Sequence, residues 1–131
     1  LPASQFAISQ FLDDALANRP VRVTGDGTPV RTYLYAADLV SWCWTILARG
    51  AARRVYNVGA SQEHTIADVA DRVARLRAPR LEVRTESGAS SVPDRYVPDT
   101  SRARDELGLE SWTGFDDALH RTWTSLKGSR A

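Results

Sequence analysis

The sequence predicts an α/β fold in its α+β-like form: helices around a small sheet of short strands, forming one domain over residues 1–131. Three observations carry this. Apolar residues recur at helical spacing in several stretches, short extended runs rich in Val, Tyr and Thr stand between them, and glycine or proline punctuates the junctions. From Ser4 onward, Ile8, Phe11, Leu12, Ala15 and Leu16 follow the spacing of a one-sided helix, which Asn18-Arg19-Pro20 ends because proline brings no N–H to a further turn. Val21-Arg22-Val23 reads as a short strand. Gly25 and Gly27 supply the positive φ of a tight reversal, and residues 31–34 resume an extended path, as a hairpin or as strand, loop and strand.

Over residues 36–49, Leu39, Trp42, Cys43, Ile46 and Leu47 mark the face of a second helix, with Cys43 on its buried side. Val40, Trp44 and Ala48 make the opposite side apolar as well, so this helix demands cover on two faces. Residues 54–58 read as a buried strand ending at Gly59. Thr65-Ile66-Ala67-Asp68 is a capping box whose carboxylate reaches back to the helix start, and Ile66, Val69, Ala70, Val73 and Leu76 form the core face that follows. Asp68 with Arg72 and Asp71 with Arg75 are ion pairs one turn apart. Residues 81–84 read as a strand and 86–93 as a Ser/Gly-rich loop. Residues 99–107 form a short helix stopped by Gly108, and 114–126 a last one with Phe115, Leu119 and Trp123 inward.

Composition narrows the function classes. With 43% hydrophobic and 25% charged residues the chain can build a core without staples. Seventeen basic against sixteen acidic residues give +1, which excludes a surface that grips nucleic acid through phosphates alone. Apolar stretches are too short for a membrane span and no secretory signal opens the chain, so the expected location is the cytoplasm. One cysteine and two histidines, His64 and His120, cannot fill a structural zinc set. No methionine occurs, the chain opens at Leu1-Pro2, and one lysine, Lys127, stands against sixteen arginines. It reads as a piece of a larger protein.

Most catalytic chemistry is excluded too. No serine sits in a Gly-x-Ser-x-Gly elbow, and the Gly25/Gly27 pair lacks the third glycine of a dinucleotide loop, since Val30 holds that place. Asp13-Asp14 and Asp116-Asp117 lie on helices, where sequence neighbours point about 100° apart, and read as solvated faces and end charges. His64 and His120 have no serine or cysteine partner. No catalytic residue is expected. What remains is a set of anion-binding side chains at loops: Arg31 after the glycine turn, Asn57 just before Gly59, and Arg95 beside Tyr96. Guanidinium groups match phosphate oxygens in a two-pronged way, and two converging on one cleft would suit a diphosphate.

Val21-x-Val23-x-Gly25-Asp26-Gly27, then Arg31-x-Tyr33-Leu34-Tyr35-x-x-Asp38-Leu39, Tyr56-Asn57-Val58-Gly59, Asp94-Arg95-Tyr96, Asp99-x-Ser101-Arg102-Ala103 and Leu107-Gly108 follow one another in order over nearly the whole chain. Together they resemble the carboxyl-terminal part of extended short-chain dehydrogenases of the NAD-dependent sugar-nucleotide epimerase/dehydratase family, dTDP-glucose 4,6-dehydratases among them. The resemblance implies a substrate-binding domain of an extended Rossmann-type enzyme, whose amino-terminal NAD-binding domain lies outside this chain. It implies a nucleoside diphosphate sugar as partner and a homodimeric parent. Arg31 and Arg95 would hold the diphosphate, Asn57 would donate to a phosphate or ribose oxygen, and Val21 and Val23 would flank the base, or else serve as plain strand core. Tyr33 and Tyr35 belong to a packing stretch. The family's catalytic tyrosine has a lysine four residues on; here Ala37, Leu39, Ala60 and Thr100 follow Tyr33, Tyr35, Tyr56 and Tyr96 at that distance. The catalytic pair and the glycine loop are both missing, which assigns NAD to the parent and no cofactor to this fragment. Alone, the fragment would self-associate through the Trp42/Trp44 helix. Two other roles stay open: an extended short-chain dehydrogenase with a non-nucleotide substrate, and an interaction domain using that helix.

Overall fold

Gly25 and Gly27 take φ values of 80° and 75°, and the reversal they form sends the strands on either side into different sheets. The strand before it, β1 (Val21–Val23), pairs in parallel with β4 (Val83–Thr85). The strand after it, β2 (Val30–Thr32), is the centre of a three-stranded sheet, antiparallel to β3 (Glu63–Thr65) and parallel to β5 (Arg95–Tyr96). The arrangement is therefore strand, loop and strand, and not a hairpin. Among the described residues five helices complete the fold: α1 (Ala7–Leu16), α2 (Ala36–Arg49), α3 (Ile66–Ala74), α4 (Ser101–Leu107) and α5 (Phe115–Gly128). The computed structural model describes residues 6–86 and 94–129, so residues 1–5 and most of the Ser/Gly-rich loop lie outside the described residues.

The larger core forms where α1, α3 and α5 pack around β1. Phe11, Leu12 and Ala15 from α1 meet Val21 and Val23, with Val69, Ala70 and Val73 from α3 and Phe115, Leu119 and Trp123 from α5 closing the cluster. The α3 face is the one its sequence spacing predicts. Thr65 caps this helix, its Oγ1 accepting from the Asp68 N–H at 3.0 Å. The Asp68 carboxylate does not reach back to complete the box, because His64 Nδ1 at 2.9 Å and the Arg72 Nε–H already claim it. Asp14 also departs from expectation. It is buried at 1% exposure, not solvated, because it lies three residues after Phe11 on the packed side of α1, where the Arg19 guanidinium covers its Oδ1 at 2.9 Å.

A smaller core lies under α2, where Trp42 meets Ala103, Leu107 and Leu109, with Leu34, Ile46 and Tyr56 at its edge. Trp42 donates its indole N–H to the Glu110 carbonyl at 3.0 Å, and Asp38, one turn earlier on the same face, accepts from the Thr113 N–H and hydroxyl at 2.9 and 3.0 Å. Only the Asp38/Trp42/Ile46 stripe turns inward. Cys43 is exposed, contrary to its expected burial, since it sits about 100° round the helix from Trp42. Leu39, Val40, Trp44 and Leu47 are exposed as well. Residues 54–58 do not form the expected buried strand. Val55 is 73% exposed and no described strand lies alongside, so extended propensity finds no ladder to join. The segment is tied down by side chains: the Tyr56 hydroxyl donates to Glu106 Oε2 at 2.8 Å and Arg102 donates to the Val55 carbonyl at 2.7 Å.

Two tryptophans on one helix give a contrast that urea titration in dilute solution can read. Trp42→Ala should cost about 3–5 kcal/mol, the range for emptying a buried aromatic site. Trp44→Ala, at a position 65% exposed, should stay within about 0.5 kcal/mol of the parent chain.

Candidate functional site

The three-stranded sheet carries both candidate arginines. In its register Arg31 stands between His64 on β3 and Tyr96 on β5, while Arg95 stands beside Val30. Strand side chains alternate, so Arg31 and Arg95 occupy opposite faces of neighbouring strands. Each is already engaged. Arg31 donates from Nη2 to Asp94 Oδ2 at 2.5 Å and from Nη1 to the Asp94 and Val30 carbonyls at 3.1 and 2.9 Å. Arg95 forms a two-pronged pair with Glu63, its Nε lying 2.8 Å from Oε2. These hydrogen bonds hold the Asp94 and Glu63 carboxyls below the usual carboxylate range and raise both arginines further. The expected convergence of the two guanidiniums on one cleft is thus not formed here, because neighbouring acids on the same face satisfy each fork locally.

Asn57 lies elsewhere, in a cleft of about 420 Å³ lined also by Val55, Asp99, Ser101, Arg102 and Glu106, where its Nδ2 donates to the Asp99 carbonyl at 2.9 Å. Gly59 lets this segment pass Pro98, since a Cβ there would come within 2.5 Å of the proline ring. The side chains of Val21 and Val23 are fully buried and serve as strand core, so neither has surface to present to a base; Arg22 is the exposed residue between them. Tyr33 packs as expected, 5.5 Å from the Phe115 ring, and burial raises its hydroxyl pKa, partly offset by Arg31.

Sequence reasoning missed the groups that surround these residues. His64, 5% exposed, stacks 4.2 Å from Phe115 and bonds Asp68, which bonds Arg72, which in turn reaches Asp116 at 2.6 Å on α5. The Asp68-to-Arg72 spacing signalled one link of this chain; the link to α5 spans 44 residues and had no local sign. Glu63 and Asp94 were equally silent as counter-charges. Among the described residues no three His, Cys, Asp or Glu side chains group as metal ligands, and no helix is long and apolar enough to cross a membrane. The arrangement offers anion-binding forks and hydrogen-bond donors.

This fold, with two small sheets and five helices among the described residues, recurs within solved epimerase and dehydratase structures. It superposes with a TM-score of 0.85 on the UDP-glucose 4-epimerase of Thermotoga maritima, solved with UDP-glucose, at 20% identity, covering 96% of this chain and 40% of that one. The dTDP-glucose 4,6-dehydratase of Bacillus anthracis, solved with NAD, gives 0.84 at 23% identity, covering 97% and 40%. In sequence the chain is 34% identical over 118 residues to the dTDP-glucose 4,6-dehydratase of Xanthomonas campestris, covering 82% of this chain and 34% of that protein. The NAD dependent epimerase/dehydratase family profile matches residues 3–59. The chain is similar to members of this family over most of its own length. It spans about a third of the length of the Xanthomonas enzyme and less of the Arabidopsis thaliana relatives it matches.

The Asp68 network sets a pH dependence. Burial pushes the Asp68 carboxyl up, but hydrogen bonds from His64 and Arg72 outweigh it and leave its folded pKa below the ordinary aspartate value. A carboxylate lowered in this way contributes stability above its unfolded pKa of about 3.9 and loses it as pH falls through the folded value. Asp68→Asn should therefore destabilise the chain near neutral pH by about 1 kcal/mol, a figure held down by partial exposure. Urea titrations should show the difference between variant and parent shrinking as pH falls from the unfolded value of about 3.9 through the lower folded value.

Proposed function

We infer that this chain is the nucleoside diphosphate sugar-binding part of an NAD-dependent sugar-nucleotide epimerase or 4,6-dehydratase. Similarity to the family supports the reading, as do relatives whose names carry dTDP-glucose and UDP-glucose. The observation that carries it is Arg31: a partly exposed guanidinium on the central strand, held at the surface by an exposed carboxylate that a stronger anion can replace. The Arg31–Asp94 pair is exposed, and such pairs are worth about 0–1 kcal/mol, so a diphosphate, with more charge and more acceptor oxygens than one carboxylate, can displace Asp94 at little cost. For Arg95 to join the same anion it must leave Glu63 and pass round the β5 edge from the opposite face, and Asn57 must give up the Asp99 carbonyl, so this reading requires a rearrangement on binding. The contribution of these residues is positional: they would fix the diphosphate so that the sugar is presented in one orientation.

The described residues do not fit a dinucleotide. The Gly25/Gly27 turn leads into a strand, and Ala67 already fills the space before Gly27, where a Cβ would lie 2.9 Å from the alanine side chain. NAD, which supplies the redox chemistry at the sugar, belongs in this reading to another part of the parent, along with the catalytic tyrosine and lysine. The bare face of α2 fits the same division, resting on that other part in a homodimeric parent. A single cysteine left unpaired suits a reducing compartment such as the cytoplasm.

A second reading, a family enzyme with a non-nucleotide substrate, draws on one observation, that both arginines are already ion-paired on opposite faces. Mutation separates the two. In the intact parent enzyme, Arg31→Ala and Arg95→Ala should each weaken nucleotide-sugar binding by roughly ten- to a hundredfold, and Arg→Lys should also weaken it because an ammonium cannot reproduce the fork. Calorimetry showing unchanged affinity in both alanine variants would favour the second reading.

The bare α2 face also makes a prediction for the 131-residue chain itself. Leu39, Val40, Trp44 and Leu47 form a contiguous apolar surface of a kind monomers seldom leave open. Sedimentation velocity should show concentration-dependent association, reduced by Val40→Glu or Trp44→Glu. A strictly monomeric chain at every concentration would remove this face as a docking surface.

A further inference from the structure

Three arginines converge at the two-stranded sheet, away from the strands that carry Arg31 and Arg95. Arg19, Arg22 and Arg84, with Pro20, line an open cleft of about 370 Å³. Their placement is built by the fold. Arg22 and Arg84 are register partners on the parallel strands β1 and β4, which sets two like charges side by side across a spacing of about 4.8 Å. Like charges directly opposite one another cost free energy in a sheet unless an anion lies between or above them.

The second observation is beneath them. Asp14, 1% exposed, receives Arg19 Nε and Nη2 at 3.1 and 2.9 Å and Arg22 Nη2 at 3.5 Å on a single oxygen, Oδ1. A carboxylate held inside α1 thus orients two guanidiniums from below, while Glu82 steadies the third through Arg84 Nη2 at 2.9 Å. All three arginine side chains remain more than half exposed, and three guanidiniums lining one open cleft can offer several N–H donors to the tetrahedral oxygens of a phosphoryl group.

We propose that Arg19, Arg22 and Arg84 form a phosphoryl-anion subsite on the β1–β4 edge, organised by the buried Asp14. Its ligand is a phosphate or pyrophosphate group, whether free or as the end of a nucleotide. Arg22 and Arg84 bind directly; Asp14 is a positioning residue.

The test follows the arginine Nε–H signals of the 131-residue chain by NMR during titration with inorganic phosphate, pyrophosphate and UDP, each against potassium chloride at matched ionic strength. The Arg19, Arg22 and Arg84 signals should move together along one saturating curve, and more at equal concentration with pyrophosphate than with chloride. Saturation by phosphate and pyrophosphate alone identifies a free anion; tighter saturation by UDP identifies a nucleotide. The Arg22→Ala/Arg84→Ala variant should weaken the apparent affinity at least tenfold. Because Arg22 touches the buried Asp14, Arg84→Gln, which disturbs only the exposed Glu82 pair, provides the second variant and should weaken binding several-fold in a folded chain. Arg31→Ala/Arg95→Ala should leave this curve unchanged. Shifts equal to those in chloride, or shifts confined to Arg31 and Arg95, would overturn the subsite, and the latter result would leave the function proposed above standing.

Discussion

The close approach of the glycine turn to the start of α3 is the constraint on which the remaining architecture depends. The Gly27 carbonyl accepts from the Ala67 N–H and the Pro29 carbonyl from the Ile66 N–H, each at 2.9 Å, so two donors that a helix start leaves unsatisfied are met by the turn. A side chain at Gly27 would meet Ala67 and require a backbone conformation that non-glycine residues rarely adopt. This contact places β1 under α3 and hands β2 to the other sheet in a single step. The larger core on one side and the arginine-bearing sheet on the other are therefore held in a fixed relation.

Charge is organised around arginine. Most arginines of the chain lie against a carboxylate, and the pairs differ in consequence. Arg72 spans Asp68 and Asp116 and so ties α3 to α5, and Asp14 fixes Arg19 and Arg22 from within α1. Arg31 with Asp94 and Arg95 with Glu63 are exposed pairs at the three-stranded sheet, each worth little by itself. A planar guanidinium suits both settings because its fork matches a carboxylate and its charge does not depend on burial.

The α2 helix and the segment after it show how a sequence can specify more than one surface. Trp42 and Asp38 bind the helix to its own core, while Val40, Trp44 and Leu47 and the exposed Val55 carry the signature of burial without a neighbour. The apolar pattern on two sides of α2 was legible in the residues, and so was the extended character of 54–58. Which side faced the core was not, because period alone does not rank two apolar faces.

The sequence by itself determined the helices and their caps, since spacing, Thr65 and Gly108 act over a few residues: Gly108 ends α4 at φ 69° and α3 buries the face its period predicts. It also carried the similarity to that family, through motifs that keep their order along the chain. Tertiary structure alone decided how the strands were shared between two sheets, that Asp14 and His64 went inside, and that Arg31 and Arg95 stood on opposite faces with Asp94 and Glu63 as partners. The reason is physical. Helix and cap preferences are set by near neighbours, whereas strand register and the pairing of charges depend on segments tens of residues apart, whose meeting is settled by how the apolar faces pack.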